Sequence, residues 1–316
     1  MRTHQHGLAR VFAAGVCVAA LAACSSGSST GTKTGSGALP SQAVQKEVAA
    51  SVASSIASEI SAMTTTSYTS FAGLFYRVEP FGKKVSPSLA KLFTRGNTHA
   101  FEGTDCPAIT GSLNSSAGDG IPDNVTETWG SDCTFAGGGD TTSITGSISI
   151  AAATPDTPGL GYTSTIDNLT LTEAGPNLDA TIGINGTLAV GETLSSITVA
   201  ANYTYNFAET APDAITEAVV EKLNSTYSFP ATSTLLVEGD PLPPGTFNIS
   251  GSETFTVNNT TYAFTVQTPT PLTVDITTCA TGVTSGVVTV GFSGQGATGT
   301  ATITWSGCGT YTISDN

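Results

Sequence analysis

The feature that most constrains the fold is an alternation of Thr or Ser with Val, Ile or Leu, which runs from about residue 100 to the end of the 316 residues. Apolar side chains stand at every second position in TTSITGSISI, SSITVAANYTYNF and TATITWSG, and Gly, Asn, Asp or Pro interrupts such segments. This pattern predicts about 10–12 antiparallel strands in an up-and-down meander. We therefore predict a mainly β fold. The pattern is compatible with a curled sheet, a closed barrel or a sandwich.

Three predicted strands carry a glycine two residues after an isoleucine, at Gly146, Gly186 and Gly251. Glycine inside a strand usually marks a bulge or a bend. We interpret these glycines as kinks that curl the sheet, with hairpin tips as the alternative.

One segment departs from the alternation. Between Pro212 and Asn224, Ile215, Val219 and Leu223 recur every four residues, with charged residues between them. A spacing of four fits one face of a helix. We predict one short internal helix here.

The first 23 residues predict an export signal, because Arg2 and Arg10 precede the apolar run VFAAGVCVAALAA. That run is shorter than the roughly 20 residues of a spanning helix. Leu21-Ala22-Ala23-Cys24 resembles the lipobox of bacterial lipoproteins, in which the Cys is diacylglycerated, the chain is cut before it and the new amine is often acylated. The resemblance implies a membrane anchor on Cys24, and Ser25 after it favours the outer over the inner membrane. An ordinary cleaved signal is the alternative.

The region after the signal divides into two parts. Residues 24–39 are a Gly/Ser/Thr tether that we expect to be flexible. Residues 40–100 begin with an amphipathic helix pattern over 41–63, in which Val48, Val52 and Ile56 lie four apart. We predict that residues 40–100 pack on a single β domain of residues 101–316. A helix lying on a membrane would usually carry more basic residues.

Charge is distributed unevenly along the mature chain. Beyond residue 95 only Lys222 is basic, against 21 Asp or Glu. Since phosphate binding requires clustered Lys and Arg, we predict no nucleic-acid partner. A basic segment at 77–95, with aromatic neighbours, can face anionic lipids or the acidic body, and we favour the second. Its basic residues are Arg77, Lys83, Lys84, Lys91 and Arg95.

Four cysteines remain after Cys17 in the signal and Cys24 in the lipobox. An even number in an exported protein indicates disulfides. Three pairings are possible, and we favour the sequence-local one. It joins Cys106 with Cys133 and Cys279 with Cys308. Zinc is the rival use, but the cysteines are widely spaced and His99 is the single histidine after the signal.

No catalytic motif accompanies this composition. A nucleophile–histidine site would have to use His99, and no G-x-S-x-G elbow between a strand and a helix accompanies it, since the one match, at residues 27–31, lies in the Gly/Ser/Thr tether. The HExxH, P-loop and Asp-Thr-Gly patterns are absent. Paired carboxylates of the glycosidase kind remain open, although no pair stands out. We predict that the protein is not an enzyme.

The segment Asp119-Gly120-Ile121-Pro122-Asp123 resembles the end of the Asp-x-Asp-x-Asp-Gly-x-x-Asp calcium loop of thrombospondin type-3 repeats. The resemblance implies Asp119 and Asp123 as ligands. Calcium takes about six to eight oxygens, but Ser115 and Ala117 hold the earlier ligand positions. We predict a turn without a cofactor, with calcium as the alternative.

These patterns together predict an exported, lipid-anchored protein of the cell envelope. We expect a non-catalytic module that binds an apolar or lipid-like ligand or an envelope component. The alternative is a surface structural or adhesion protein whose β core is filled by its own side chains. A calcium-binding protein and a carboxylate-dependent hydrolase rank behind both.

Overall fold

The alternating segments form long antiparallel strands in the computed structural model. The described residues are 49–50, 52–53, 56, 106–112, 114–118, 121–137, 140–175, 179–209, 215–236, 242–257, 260–279, 282–294 and 297–315. The predictions for the signal, Cys24, the tether, the basic segment and His99 fall outside this set. Of the predicted N-terminal helix, only residues 49, 50, 52, 53 and 56 are described, and these are helical.

Thirteen strands make up the described part of the body. They are β1 (Ala108–Ser112), β2 (Asn124–Trp129), β3 (Thr134–Gly137), β4 (Asp140–Ala152), β5 (Tyr162–Ala174), β6 (Asp179–Thr193), β7 (Ser196–Glu209), β8 (Ile215–Ser228), β9 (Gly245–Val257), β10 (Thr260–Val274), β11 (Val283–Gly294), β12 (Ala297–Gly307) and β13 (Thr310–Asp315).

All thirteen strands belong to one antiparallel sheet. Twelve follow the order β1-β2-β4-β5-β6-β7-β8-β9-β10-β11-β12-β13, and β3 pairs with the end of β4 that β2 leaves free. The predicted mainly β meander is therefore confirmed. The terminal strands β1 and β13 do not pair with each other, so the sheet is open and the barrel alternative is wrong.

One face of this sheet, called the inner face here, carries a large apolar cluster that extends from Val125 on β2 to Trp305 on β12. Helical Ala49, Ala53 and Ile56 belong to the same cluster. Val219 on β8 forms a small separate cluster on the inner face. No second sheet covers this face within the described residues, so its continuous burial requires the sheet to curve around it. Period-two alternation supplies the apolar residues for this face.

The prediction of an internal helix between Pro212 and Asn224 is wrong, because residues 215–228 form β8. This strand is hydrogen-bonded to β7 and β9 along its length. The misleading signal was the spacing of Val219 and Leu223, since positions four apart share a face in a strand as well as in a helix. Pairing on both edges decides between the two.

The three in-strand glycines all lie inside strands rather than at hairpin tips. At Gly146 the pairing of β4 with β5 shifts register, and the residue has φ +110°. A Cβ at Gly146 would lie 2.4 Å from the carbonyl oxygen of Asn168. The predicted kink is confirmed there, whereas Gly251 lies in a regular part of the ladder.

Both predicted cysteine pairs lie at disulfide distance. The Cα atoms of Cys106 and Cys133 are 5.5 Å apart, and those of Cys279 and Cys308 are 5.3 Å apart. The first pair joins the start of β1 to the segment before β3. The second joins the β10–β11 connection to the β12–β13 turn, so each pair lies beside one open edge of the sheet.

Connections cover one end of the inner face, which we call the closed end. Leu160 before β5, and Leu236 and Leu242 between β8 and β9, are buried in the apolar cluster. The Glu192 carboxylate accepts hydrogen bonds from the backbone N–H groups of Leu160, at 2.8 Å, and Leu236, at 2.7 Å. One side chain of β6 thereby fixes two connections over the closed end.

Candidate functional site

Two glutamates lie directly opposite each other on the inner face. Glu221 of β8 pairs in register with Glu253 of β9. Glu221 has the same orientation as buried Val219 and Leu223, and Glu253 has that of buried Ile249. We call Glu221 and Glu253 the carboxyl pair.

Aromatic side chains flank the carboxyl pair on both sides. Tyr203 of β7 is opposite Glu221, and Phe264 of β10 is opposite Glu253. Tyr203 stacks on Tyr205, with ring centroids 6.0 Å apart. Phe264 meets Phe292 of β11 edge to face at 5.5 Å. Such ring pairs stabilise their strands beyond their burial alone.

Burial along β7–β10 changes from one end of the inner face to the other. At the closed end each strand has a fully buried residue, and these are Ile197, Tyr227, Phe247 and Leu272. Further along, several side chains on the same four strands are only half-buried, although Tyr203, Phe207 and Val219 remain buried. The acidic and aromatic residues among the half-buried ones, called the acidic–aromatic patch here, are Tyr205, Glu221, Glu253, Tyr262 and Phe264.

The carboxyl pair is electrostatically unfavourable when ionised. Burial raises the pKa of Glu221 from 4.5 to about 7. Burial, and then the charge of Glu221, raise the pKa of Glu253 to about 8. Like charges directly opposite each other on neighbouring strands are destabilising. The Oε1 atom of Glu253 is out of contact with solvent and has no hydrogen-bond partner in the described part of the chain.

Among the described residues, the groups around the pair provide no compensating positive charge. Lys222, the single basic residue after position 95, is exposed and points away from the inner face. The tyrosines are neutral, since burial and the charge of Glu221 raise the pKa values of Tyr203 and Tyr205. The site therefore combines aromatic surface with carboxyl groups that favour the protonated form.

A third inner-face carboxyl group lies on β2. Glu127 stands between Val125 and Trp129, which belong to or pack on the apolar cluster. Burial raises the pKa of Glu127. It lies opposite Ile148 of β4, and four strands separate β2 from β8 in the sheet order, so Glu127 is not part of the patch.

The segment that resembles a calcium loop is held by its own hydrogen bonds in the residues that are described. The Asp123 carboxylate accepts the Ser116 backbone N–H at 2.8 Å and the Ser116 hydroxyl. Both hydrogen bonds lower the pKa of Asp123 below its usual value, and the bond from the Ser116 hydroxyl has the larger effect. Asp119 falls outside the described residues. Within the described chain no group of three or more His, Cys, Asp or Glu side chains is placed to hold a metal ion.

Sequence reasoning missed the carboxyl pair. Glu221 lies within the predicted internal helix, which does not form, and no carboxylate pair stands out in the sequence. A signal was present in the alternation itself, because Glu221 is in phase with Val219 and Leu223, as Glu253 is with Ile249. That the two residues face each other depends on the register of β8 with β9.

Comparisons of the chain with protein-family models, with curated proteins and with solved structures find no match. None of the helical residues described belongs to a helix long and apolar enough to cross a membrane. Function is therefore inferred from the geometry of this chain alone.

Proposed function

We propose that this protein is an exported, lipid-anchored binding module of the cell envelope, and that the acidic–aromatic patch holds an apolar or lipid-like molecule. The observation that carries the proposal is the change in burial along β7–β10. Phe247 and Leu272 are fully buried at the closed end, whereas Tyr262 and Phe264 of the patch keep part of their surface exposed. Half-accessible aromatic groups on a concave apolar face are typical of small-molecule sites.

The expected lipid anchor supports the same function. The lipobox-like segment ending at Cys24 and the following Gly/Ser/Thr tether would attach the body to a membrane surface and leave it free to reach from it. An apolar ligand has low solubility in water. A binding module held close to a membrane can collect or deliver such a ligand there.

Native mass spectrometry of the full protein, extracted gently from its own membranes, tests the proposal. We expect a bound mass that organic solvent removes, and uptake of Nile red by the emptied protein. Repeated absence of both would contradict a ligand-binding role.

A matched pair of variants on β10 tests whether the ligand binds at the acidic–aromatic patch. Val266 is half-buried on the inner face beside Phe264, whereas Gln267 is exposed on the outer face. Val266→Trp should fill the patch and weaken dye binding by about tenfold, equivalent to about 1.4 kcal/mol. Gln267→Trp should leave binding unchanged. Equal effects of the two would show that the dye binds elsewhere.

The alternative is a surface structural or adhesion protein. The continuous cluster of buried side chains from β2 to β12 favours this alternative, because a core filled by the protein's own side chains leaves no space for a ligand. Protease treatment of whole cells separates the two functions. A surface protein should be cleaved, and complete protection would count against the adhesion role.

A further inference from the structure

The carboxyl pair is a feature that binding of an apolar molecule does not explain. Two acidic side chains on adjacent central strands point to the same apolar face, directly opposite each other. Hydrophobic residues at both positions would serve the core and an apolar ligand better. Neither core packing nor the binding of an apolar ligand therefore explains two acidic side chains at these positions.

The described residues that surround the pair cannot neutralise two negative charges. From β7 the titratable groups facing the pair are Tyr203 and Tyr205, and from β10 they include Tyr262. The other described inner-face neighbours are Val219 and Leu223 on β8, Gly251 on β9, and Phe264 and Val266 on β10, and all of them are apolar or lack a side chain. No basic side chain faces the pair from these elements in the described residues.

One oxygen atom of the pair also lacks, among the described residues, the hydrogen bond that would stabilise an ionised carboxylate. Glu253 Oε1 is buried and has no partner among the described residues. A carboxylate oxygen in this position is strongly disfavoured, whereas a proton on one carboxyl group supplies a donor that the other can accept.

We propose that Glu221 and Glu253 form a proton-binding site on the inner face, which holds at least one proton at neutral pH and whose ionisation weakens the β8–β9 ladder. The proton comes from solvent and replaces the repulsion between two carboxylates with a hydrogen bond between a carboxylic acid and its neighbour. Like-charge carboxylates that share a proton in this way are known from other buried pairs. The proton site does not require an apolar ligand.

The direction of the pH effect follows from the raised pKa values of both groups. Between about pH 4.5 and about pH 8 the folded protein holds protons that the unfolded chain has released. The stabilisation is therefore complete below about pH 4.5 and is lost as the pH rises through the folded pKa values. Above about pH 8 the pair should contribute no further pH dependence.

Thermal melts of the mature protein from about pH 5 to about pH 9 test this. We expect the melting temperature of the wild type to fall by about 5 °C or more over this range. Glu221→Gln and Glu253→Gln should each reduce the fall, and the double variant should remove most of it. Asp156→Asn, which removes an exposed loop carboxylate, is the matched control and should keep the wild-type fall.

A spectroscopic measurement separates proton binding from a merely structural role. In the wild type, infrared difference spectra should show the C=O band of a protonated carboxyl group above about pH 6, where ordinary Glu is ionised. In Glu221→Gln the titration midpoint of Glu253 should move to lower pH, because the neighbouring charge is gone. This readout needs only the wild type and one folded single variant.

The proposal is overturned if the wild type lacks the protonated carboxyl band above about pH 6. It is also overturned if the wild type and the double variant show the same fall in melting temperature. A failure of dye or lipid binding alone would contradict the proposed function and leave the proton site unaffected.

Discussion

At the scale of single residues, the described structure depends on a few residues that are not part of the apolar pattern. Glu192 is one of them, because its two carboxylate oxygens accept backbone N–H groups from two different connections over the closed end. Gly146 is another, because its backbone and the nearby Asn168 carbonyl leave no space for a side chain. The sequence marked Gly146 as a kink, but Glu192 had no recognisable signal.

Glu192→Ala should lower the free energy of unfolding by about 2 kcal/mol, because two backbone N–H groups lose a charged acceptor. The melting temperature should fall by roughly 4–8 °C. Differential scanning calorimetry measures the change. Asp156→Asn removes one exposed carboxylate and should have almost no effect. An equally small effect of Glu192→Ala would mean that other contacts hold the two connections over the closed end.

Gly146→Ala should destabilise the protein by about 2 kcal/mol or more, because φ +110° is unfavourable for a residue with a Cβ. The Cβ would also contact the Asn168 carbonyl. Gly183→Ala is the matched control, since its Cβ would meet nothing closer than the Asn206 carbonyl oxygen at 4.0 Å. Urea unfolding of both variants measures the difference, and equal stabilities would contradict the bulge.

At the scale of elements, β8 shows how pairing overrides a local pattern. Its apolar residues at 219 and 223 fit a helix and a strand equally well, and its charged residues favoured the helix. Fourteen residues nevertheless pair with β7 on one edge, and most of them pair with β9 on the other. The central position of β8 is what brings Glu221 opposite Glu253.

Single cysteines placed at residues 219 to 224 should react with a water-soluble maleimide in a period of two. Val220, Lys222 and Asn224 are exposed, with Val220 at 40%, so cysteines there should react quickly. Cysteines at Val219 and Leu223 should react about tenfold or more slowly, because exposed and buried sites alternate in a strand. A reactivity period near 3.6 would instead indicate a helix.

At the scale of the whole molecule, the sheet is open and its two edges are protected in similar ways. The edge strands β1 and β13 have only 5 and 6 residues, whereas most central strands have 11 or more. Each edge also lies near a cysteine pair. Short, anchored edge strands limit pairing with other chains.

Replacing Cys279 and Cys308 together by Ser should lower the free energy of unfolding by about 3–4 kcal/mol, given a loop of 29 residues. The freed β13 should also make the protein more prone to associate through its edge. Calorimetry and light scattering measure the two effects. If the oxidised wild type and the double variant melt at the same temperature, the two cysteines do not form a bond.

The sequence by itself determined the class of this fold, because side-chain alternation is a local property of a strand and is written in consecutive residues. It also indicated the kink at Gly146 and the cysteine pairing that the structure places at disulfide distance. Only the tertiary structure decided that residues 215–228 are a strand, that the sheet stays open, and that Glu221 faces Glu253. These outcomes depend on pairing between different strands, which places Glu221 opposite Glu253 although the two are 32 residues apart in the chain. Hydrogen bonds across strands set that register rather than any local preference.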